Sequence, residues 1–330
     1  MKTYICILLT VAAMTLLCAI AASVIIDPYR IVHPLIGEFV FEPNSRVSKV
    51  TFLSHNCSQY DSYFVGDSRS VPLNERDLGG IQGRRFYNFA IPADDIVSIV
   101  SRLKFMIKNG CPISAIVVGE SLDVFMDRIK KGTDSLLYSE DPAVSGENRM
   151  AFYSKYFLSA QALITYFREM HQSSSPYFTY YLDGHADYLF AMEDGAGFAL
   201  PWCGARKLGA AYEKVLSGRL LGYREIAEMA DQYHFKVIVW IAPVNKWESS
   251  LFDDPIVEVF LQQLRAIPHL PVVEADRSSP LLSDFHYWHD CRHFRRTLFD
   301  QLVAPTVSEY LGRSGARVIS SITEKTSEPK

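Results

Sequence analysis

The sequence predicts an α/β fold in which helices cover both faces of a parallel β-sheet. Short runs rich in β-branched and aromatic residues alternate with longer segments of helical periodicity. Each short run is largely apolar and does not alternate between apolar and polar residues, as expected for strands that are buried on both faces. The chain has 330 residues, enough for one large domain with a well-buried core.

The elements follow from where the apolar runs stop. Gly66 ends the first strand, Pro92 follows the second, and Gly110 ends the first helix of the domain. The run KVIVWI is the strongest strand signal. We predict strands at 60–65, 85–90, 114–118, 236–241 and 272–274, and helices at 95–109, 150–169, 207–233, 255–265 and 294–311.

The N-terminal segment 4–26, YICILLTVAAMTLLCAIAASVII, has no charged residue and is long enough to cross a hydrocarbon core as a helix. A cleaved signal peptide would use Ala19-Ile20-Ala21 as its processing site. The apolar run continues past Ala21 to Asp27, which favours an uncleaved anchor. Both alternatives export the rest of the chain. We therefore expect a single-pass protein of the cell membrane whose domain faces outward, into a periplasmic or other extracytoplasmic space.

Three regions are predicted: an anchor or signal segment (1–30), one α/β domain (31–313) and a disordered polar tail (314–330). Stretches near 127–150 and 173–206 fit no sheet element and are predicted to be insertions that form a lid or recognise substrate. Basic residues (33) and acidic residues (37) nearly balance, and no basic run occurs, so a nucleic-acid partner is not expected.

Cysteine spacing leaves the disulfide pairing open. An oxidising compartment permits disulfides, and four cysteines outside the apolar segment allow three pairings. No CxxC spacing occurs, which argues against a zinc–cysteine site. These cysteines are Cys57, Cys111, Cys203 and Cys291.

Two motifs predict a nucleophilic serine. Gly66-Asp67-Ser68 lies where the first strand turns toward an expected helix, whose N-terminal N–H groups would face developing negative charge. A serine needs a base, and Asp290-Cys291-Arg292-His293 offers a histidine with a carboxylate three residues away. In the alternative interpretation, Asp67 or Ser68 caps one helix, Asp290 caps the last helix, and His293 lies on the surface.

With these blocks the chain resembles the SGNH (GDSL-like) hydrolase superfamily, and more loosely its membrane-anchored members, the D-alanyl-lipoteichoic acid biosynthesis protein and the alginate O-acetyltransferases. The resemblance implies a three-layer α/β/α, flavodoxin-like fold. It also implies that Ser68 attacks an ester carbonyl, that His293 is the general acid/base and that Asp290 orients His293. The backbone N–H groups of Ser68 and Ala90 would bind the oxyanion, and no metal or organic cofactor is implied.

The middle blocks depart from the family pattern. The asparagine expected after Gly119 is missing from Gly119-Glu120-Ser121, and Asn88 or Ser121 is left as a substitute donor. Since the loss of one oxyanion donor costs about 100- to 1000-fold in rate, a non-catalytic accessory or binding protein of the cell envelope is an alternative to an enzyme.

Two further alternatives rest on clustered side chains. The histidines His286, His289 and His293 could bind zinc in a metal-dependent hydrolase, although no HExxH motif occurs. Glu120 and Asp123 suggest the paired carboxylates of a glycosidase. We favour a serine-dependent acyl-ester hydrolase or O-acyltransferase acting on a cell-envelope glycan or related conjugate, with an acyl-donor membrane protein as a further partner. Four further residues are candidate ligands for the zinc site described above: Asp284, Asp290, His185 and Asp187.

Overall fold

The computed structural model describes residues 1–40, 42–78, 83–122, 136–172, 178–188, 210–246, 254–290 and 292–312. Its strands are β1 (Gly37–Phe39), β2 (Ser62–Val65), β3 (Phe86–Asn88), β4 (Ala115–Glu120), β5 (Phe178–Tyr180), β6 (Ala186–Tyr188), β7 (Lys236–Ile241) and β8 (Val272–Glu274). Its helices are α1 (Lys2–Ile26), α2 (Ser45–Asn56), α3 (Ile96–Lys108), α4 (Pro142–Ser145), α5 (Arg149–Phe157), α6 (Ala160–Gln172), α7 (Ala210–Tyr233), α8 (Pro255–Arg265), α9 (Arg296–Leu302) and α10 (Ala304–Gly312).

Five of these strands form a parallel sheet in the order β3-β2-β4-β7-β8. Numbered within the sheet, this is the 2-1-3-4-5 order of a doubly wound fold. In such sheets the ligand crevice lies beyond the carboxyl ends of the strands where the order reverses, which here is between β2 and β4. The predicted α/β fold with a parallel sheet is confirmed.

Each face of the parallel sheet has its own apolar core. Tyr63 and Val65 of β2 point into a core shared with α2, α3, α7 and α8. Phe64, between them, points to the other face, where α9 and α10 cover it. Helices therefore cover both faces, and the strands are buried throughout except at a few termini.

The apolar N-terminal segment forms α1, which is long and apolar enough to cross a membrane. It is exposed as far as Ala19 and contacts the domain from Ile20 onward. The helix ends at Asp27, whose carboxylate accepts hydrogen bonds from the backbone N–H groups of Ile31, Val32 and His33.

Two predicted helices are each split in the structure. The segment 150–169 forms α5 and α6, and the residue before α6 is Ser159, a type favoured at the start of a helix. The segment 294–311 forms α9 and α10, which meet at Val303. Pro305 follows there and has no N–H with which to continue the first helix.

A small antiparallel sheet, β1-β5-β6, was not predicted, and two of its strands lie in the expected insertion 173–206. The β5–β6 turn contains Asp183-Gly184, a common hairpin signal. Gly184 has φ 83°, and a Cβ there would meet the carbonyl oxygen of Asn88 and the ring of Tyr87. The hairpin thus docks closely on β3. The stretches 123–135 and 189–209 and the tail 313–330 lie outside the described residues.

A disulfide joins Cys57, just after α2, to Cys111, just after α3. It links two elements on the same side of the sheet across a sequence separation of 54. Cys203 and Cys291 lie outside the described residues, and Cys6 and Cys18 of α1 are free thiols.

We expect Cys57→Ala/Cys111→Ala to lower the free energy of unfolding by about 2–4 kcal/mol, because the cross-link restricts the unfolded chain. Denaturant unfolding of the full chain in detergent measures this loss. Cys6→Ala/Cys18→Ala is the matched control and should have no effect. Equal stability of all three proteins would contradict the pairing.

Candidate active site

Ser68 lies in the turn that follows β2, at the reversal point of the parallel sheet. The turn leaves the strand through Gly66, which has φ 147°, and a Cβ there would clash with Ser70 and with the Gly119 carbonyl. The expected helix after Ser68 is absent: residues 66–72 form turns. Pro72 lacks the N–H that a helix would need at that position. No helix N-terminus therefore faces Ser68 from its own loop.

The loop that carries His293 is fixed by two large apolar side chains. Trp288 and Phe294 pair across the loop and are buried in the core beneath α9 and α10. The backbone N–H of His289 donates to the carbonyl of His293, at 2.7 Å, and tightens the turn. His293 is thereby held above the sheet with a quarter of its side chain exposed.

The structure brings Ser68, His293 and Asp290 together. Ser68 Oγ lies 2.9 Å from His293 Nε2, and His293 Nδ1 lies 2.8 Å from Asp290 Oδ2. Asp290 Oδ1 accepts from the backbone N–H groups of Arg292 and His293. Burial alone would raise the pKa of Asp290, but these hydrogen bonds and the His293 charge lower it to about 2. The carboxylate is ionised at neutral pH and fixes the proton of the imidazole on Nδ1.

Arg69 joins three loops at this site. Its guanidinium Nε donates to the carbonyl of Arg292 at 2.8 Å, and another nitrogen donates to Ser121 Oγ at the end of β4. The side chain is buried. Arg69 thus holds together the turn that contains Ser68, the end of β4 and the His293 loop.

Two residues that the sequence did not predict lie near this site: Tyr188 of β6, and Glu42, which follows β1. The Tyr188 hydroxyl donates to the carbonyl oxygen of Ser68 at 2.6 Å, and its ring centroid lies 5.4 Å from that of His293. Glu42, partly buried just after β1, is near enough for the charge of His293 to act on it. Burial raises the pKa of Glu42 to about 7, although the charges of Arg46 and His293 oppose the shift. The aromatic residues of the 173–206 insertion, which include Tyr188, are the sequence feature that could have indicated its position here.

The predicted oxyanion donors Ala90 and Asn88 already donate hydrogen bonds to other groups of the protein. The backbone N–H of Ala90 donates to Asn88 Oδ1 at 2.9 Å. The Asn88 amide nitrogen donates to the carbonyl oxygens of Ser70, Val71 and Leu73. Asn88 therefore joins the turn that contains Ser68 to the end of β3. By contrast, no acceptor for the backbone N–H of Ser68 is found among the described residues.

A buried lysine supports the Asn88–Ala90 segment from below. Lys49 of α2 donates to the carbonyl oxygens of Asn88, at 3.0 Å, and Ala90, at 2.6 Å. Burial lowers its pKa to about 7, while the nearby Asp183 acts in the opposite direction. Beside it, the buried Arg46 and Arg102 share two carboxylates. These carboxylates belong to Asp94 and Glu140.

The other candidate residues lie apart from Ser68 or have other partners. Glu120 binds Arg219 and the Tyr223 hydroxyl, and Asp123 lies outside the described residues. His286 is on the surface against Asp284. Within the described ranges, no three histidine, cysteine, aspartate or glutamate side chains are grouped as metal ligands. His185, in the β5–β6 turn, pairs with Asp183, and Asp187 bonds the Tyr181 hydroxyl.

No protein-family profile and no curated protein matches this chain. Among solved structures, the chain is similar to one described as "a putative platelet activating factor from Streptococcus pneumonia". The identity is 11%, the TM-score is 0.41, and the match covers 81% of this chain and 92% of the other. At that TM-score the likeness says nothing about function, so the candidate function rests on the site geometry.

The charge state of Lys49 gives a pH dependence. Above pH 7 the folded state holds Lys49 neutral, whereas the unfolded chain keeps it protonated up to its ordinary pKa of 10.5. The unfolded state therefore binds more protons in this window. We expect the free energy of unfolding to rise between pH 7 and pH 10, by about 1 kcal/mol or more.

Lys49→Met should remove that rise, as measured by denaturant unfolding at several pH values. Lys104→Met, which alters an exposed lysine paired with Glu225, should keep it. A wild-type pH profile that matches that of Lys49→Met would show that burial does not shift this amine.

Proposed function

We propose that this chain is a membrane-anchored, serine-dependent acyl-ester hydrolase or O-acyltransferase of the SGNH type. The observation that carries the proposal is the continuous hydrogen-bonded chain from Ser68 Oγ through His293 to Asp290. It lies at the sheet edge where doubly wound folds bind ligands. Nucleophile, base and orienting carboxylate are each within direct hydrogen-bonding distance, as acyl transfer through a serine requires.

In the proposed reaction, Ser68 Oγ attacks the ester carbonyl while its proton passes to His293 Nε2. The ionised Asp290 stabilises the imidazolium that forms. The tetrahedral intermediate collapses when His293 protonates the leaving alcohol, which leaves an acyl-serine. Water or an acceptor hydroxyl, deprotonated by His293, then attacks the acyl-serine and releases Ser68.

Two donors are proposed for the oxyanion, since Ala90 and Asn88 are engaged elsewhere. The first is the backbone N–H of Ser68, which has no protein acceptor in the described part of the chain. The second is the hydroxyl of Ser121, which stands near the family's missing asparagine. Its oxygen accepts from Arg69, so its own proton is free to point to the substrate.

The location and substrate class are proposed from the anchor and the disulfide. Helix α1 would hold the domain at the membrane, and disulfides persist in oxidising, extracytoplasmic compartments. An outward-facing domain beside the membrane meets cell-envelope glycans and their conjugates, as well as membrane proteins that could donate an acyl group. The glycan substrate rests on this placement and on the family resemblance.

The engaged oxyanion groups favour one second candidate, a non-catalytic accessory or binding protein of the envelope. Because the backbone N–H of Ala90 donates to Asn88 Oδ1, it is not available to bind an oxyanion. A protein that had kept the fold for binding would tolerate this arrangement. Reactivity of Ser68 separates the two functions.

We expect a fluorophosphonate probe to label the wild-type chain and not Ser68→Ala, because only an activated serine reacts. Gel fluorescence or intact mass measures the labelling. Ser70→Ala is the matched control: this serine lies two residues away, and its buried hydroxyl has no partner among the described residues. A folded wild-type protein that stays unlabelled would favour the accessory function.

Asp290→Asn should lower the labelling rate by about 100-fold or more, because an amide cannot hold the proton of His293 on Nδ1. The variant keeps an oxygen for the two backbone N–H groups, so folding should be little affected. Asp284→Asn, which alters the other Asp–His pair at the surface, is the control and should label normally. An unchanged rate in Asp290→Asn would remove Asp290 from the mechanism.

A further inference from the structure

Helix α6 exposes an apolar face. Ile164, Phe167 and Met170 are 57%, 57% and 47% exposed. Spaced three residues apart, they lie within one side of the helix. A surface helix of a globular domain normally turns such a face toward the core. Elsewhere on the domain, exposed large apolar residues such as Leu221 and Val259 belong to helices in which most other apolar residues are buried.

The position of α6 along α1 indicates what covers this face. Helix α1 contacts both α5 and α6. About 20 helical residues cross a hydrocarbon core, so a span that starts near Lys2 reaches the far surface at about Ile20 to Ser23. Contact between α1 and the domain begins at those residues. The height of the bilayer surface along α1 is therefore the height at which α1 meets the domain.

The end of α1 fixes that height independently. Asp27 is buried in the protein and binds three backbone N–H groups of the segment that follows. Such a charged, hydrogen-bonded turn belongs outside the hydrocarbon. Leu158, in the connection between α5 and α6, is also 57% exposed.

We propose that the apolar face of α6 lies in the interfacial layer of the same bilayer that α1 crosses. The inference rests on the membrane anchoring proposed above and adds a second, peripheral contact. Amphipathic helices bind in this way, with the apolar side sunk to the boundary of the acyl chains. The second contact would stop the domain from rotating about α1, and it would fix which side of the domain faces the membrane.

The test uses the full chain in phosphatidylcholine nanodiscs that contain a phosphatidylcholine with a diazirine on its acyl chain. After illumination, lipid adducts are mapped by peptide mass spectrometry. We expect adducts in α1 and in residues 160–172. In Ile164→Asn/Phe167→Asn, adducts in 160–172 should fall by about fivefold or more, whereas adducts in α1 should persist. Leu221→Asn is the matched control and should change neither.

The outcomes separate this inference from the anchoring on which it rests. Adducts confined to α1 in the wild-type chain would overturn the α6 contact and leave the anchor intact. Absence of adducts in α1 would instead overturn the anchoring. A dimer by native mass spectrometry, without adducts in 160–172, would assign the face to a second copy and also overturn the inference. The wild-type map decides even if the double variant folds poorly, and circular dichroism reports whether it folds, independently of Ser68 reactivity.

Discussion

The site depends on one contact, the 2.9 Å approach of Ser68 Oγ to His293 Nε2 between loops 225 residues apart in sequence. Parallel strands make this approach feasible, because their carboxyl ends share one edge of the sheet. The sheet alone does not set the distance. Burial of Trp288 and Phe294 fixes the loop that carries His293, and Arg69 joins that loop to the turn that contains Ser68. Because the two loops are so far apart in sequence, both must be fixed for Ser68 and His293 to stay within hydrogen-bonding distance.

Much of the fold was predictable because its signals are local. After Lys236, the run that forms β7 is apolar and mostly β-branched, and it forms an interior strand of the sheet, where these properties are needed. The helix predictions failed at their breaks, where Pro305 and Ser159 interrupt an otherwise continuous apolar pattern. The β1-β5-β6 sheet was not predictable, because β1 pairs with a strand more than a hundred residues away and each is three residues long.

The candidate site was predictable in part. The motifs around Ser68 and His293 pointed to the residues that lie together. The engagement of Ala90 and Asn88 was not visible, because an amide has the same sequence signature whether it faces a substrate or a neighbouring loop. Tyr188 comes from the small sheet and Glu42 from the segment after β1. The position of the small sheet relative to the parallel sheet depends on tertiary docking at Gly184. Local patterns carry no information about such docking.

Buried charge beneath the site ties the helices to the loops above. Arg46 and Arg102 share two carboxylates, and Lys49 holds two carbonyl oxygens. Removing one member of such a cluster leaves an uncompensated charge and is costly, although the intact cluster adds little net stability. Through Arg46 and Lys49, the cluster joins α2 to the end of β3 and to the loop that follows it.

The short path from the end of α1 to the small sheet has a consequence for substrate selection. Only residues 27–36 separate α1 from β1, and Asp27 folds the first of them into a turn. Strand β1 pairs with the hairpin that carries Tyr188, whose hydroxyl binds the carbonyl oxygen of Ser68. A domain on a long flexible stalk samples many distances from its membrane. Here the connection is too short for that. In the proposed membrane-anchored enzyme, substrates would therefore be selected by how far their ester group stands from the bilayer as well as by their chemistry.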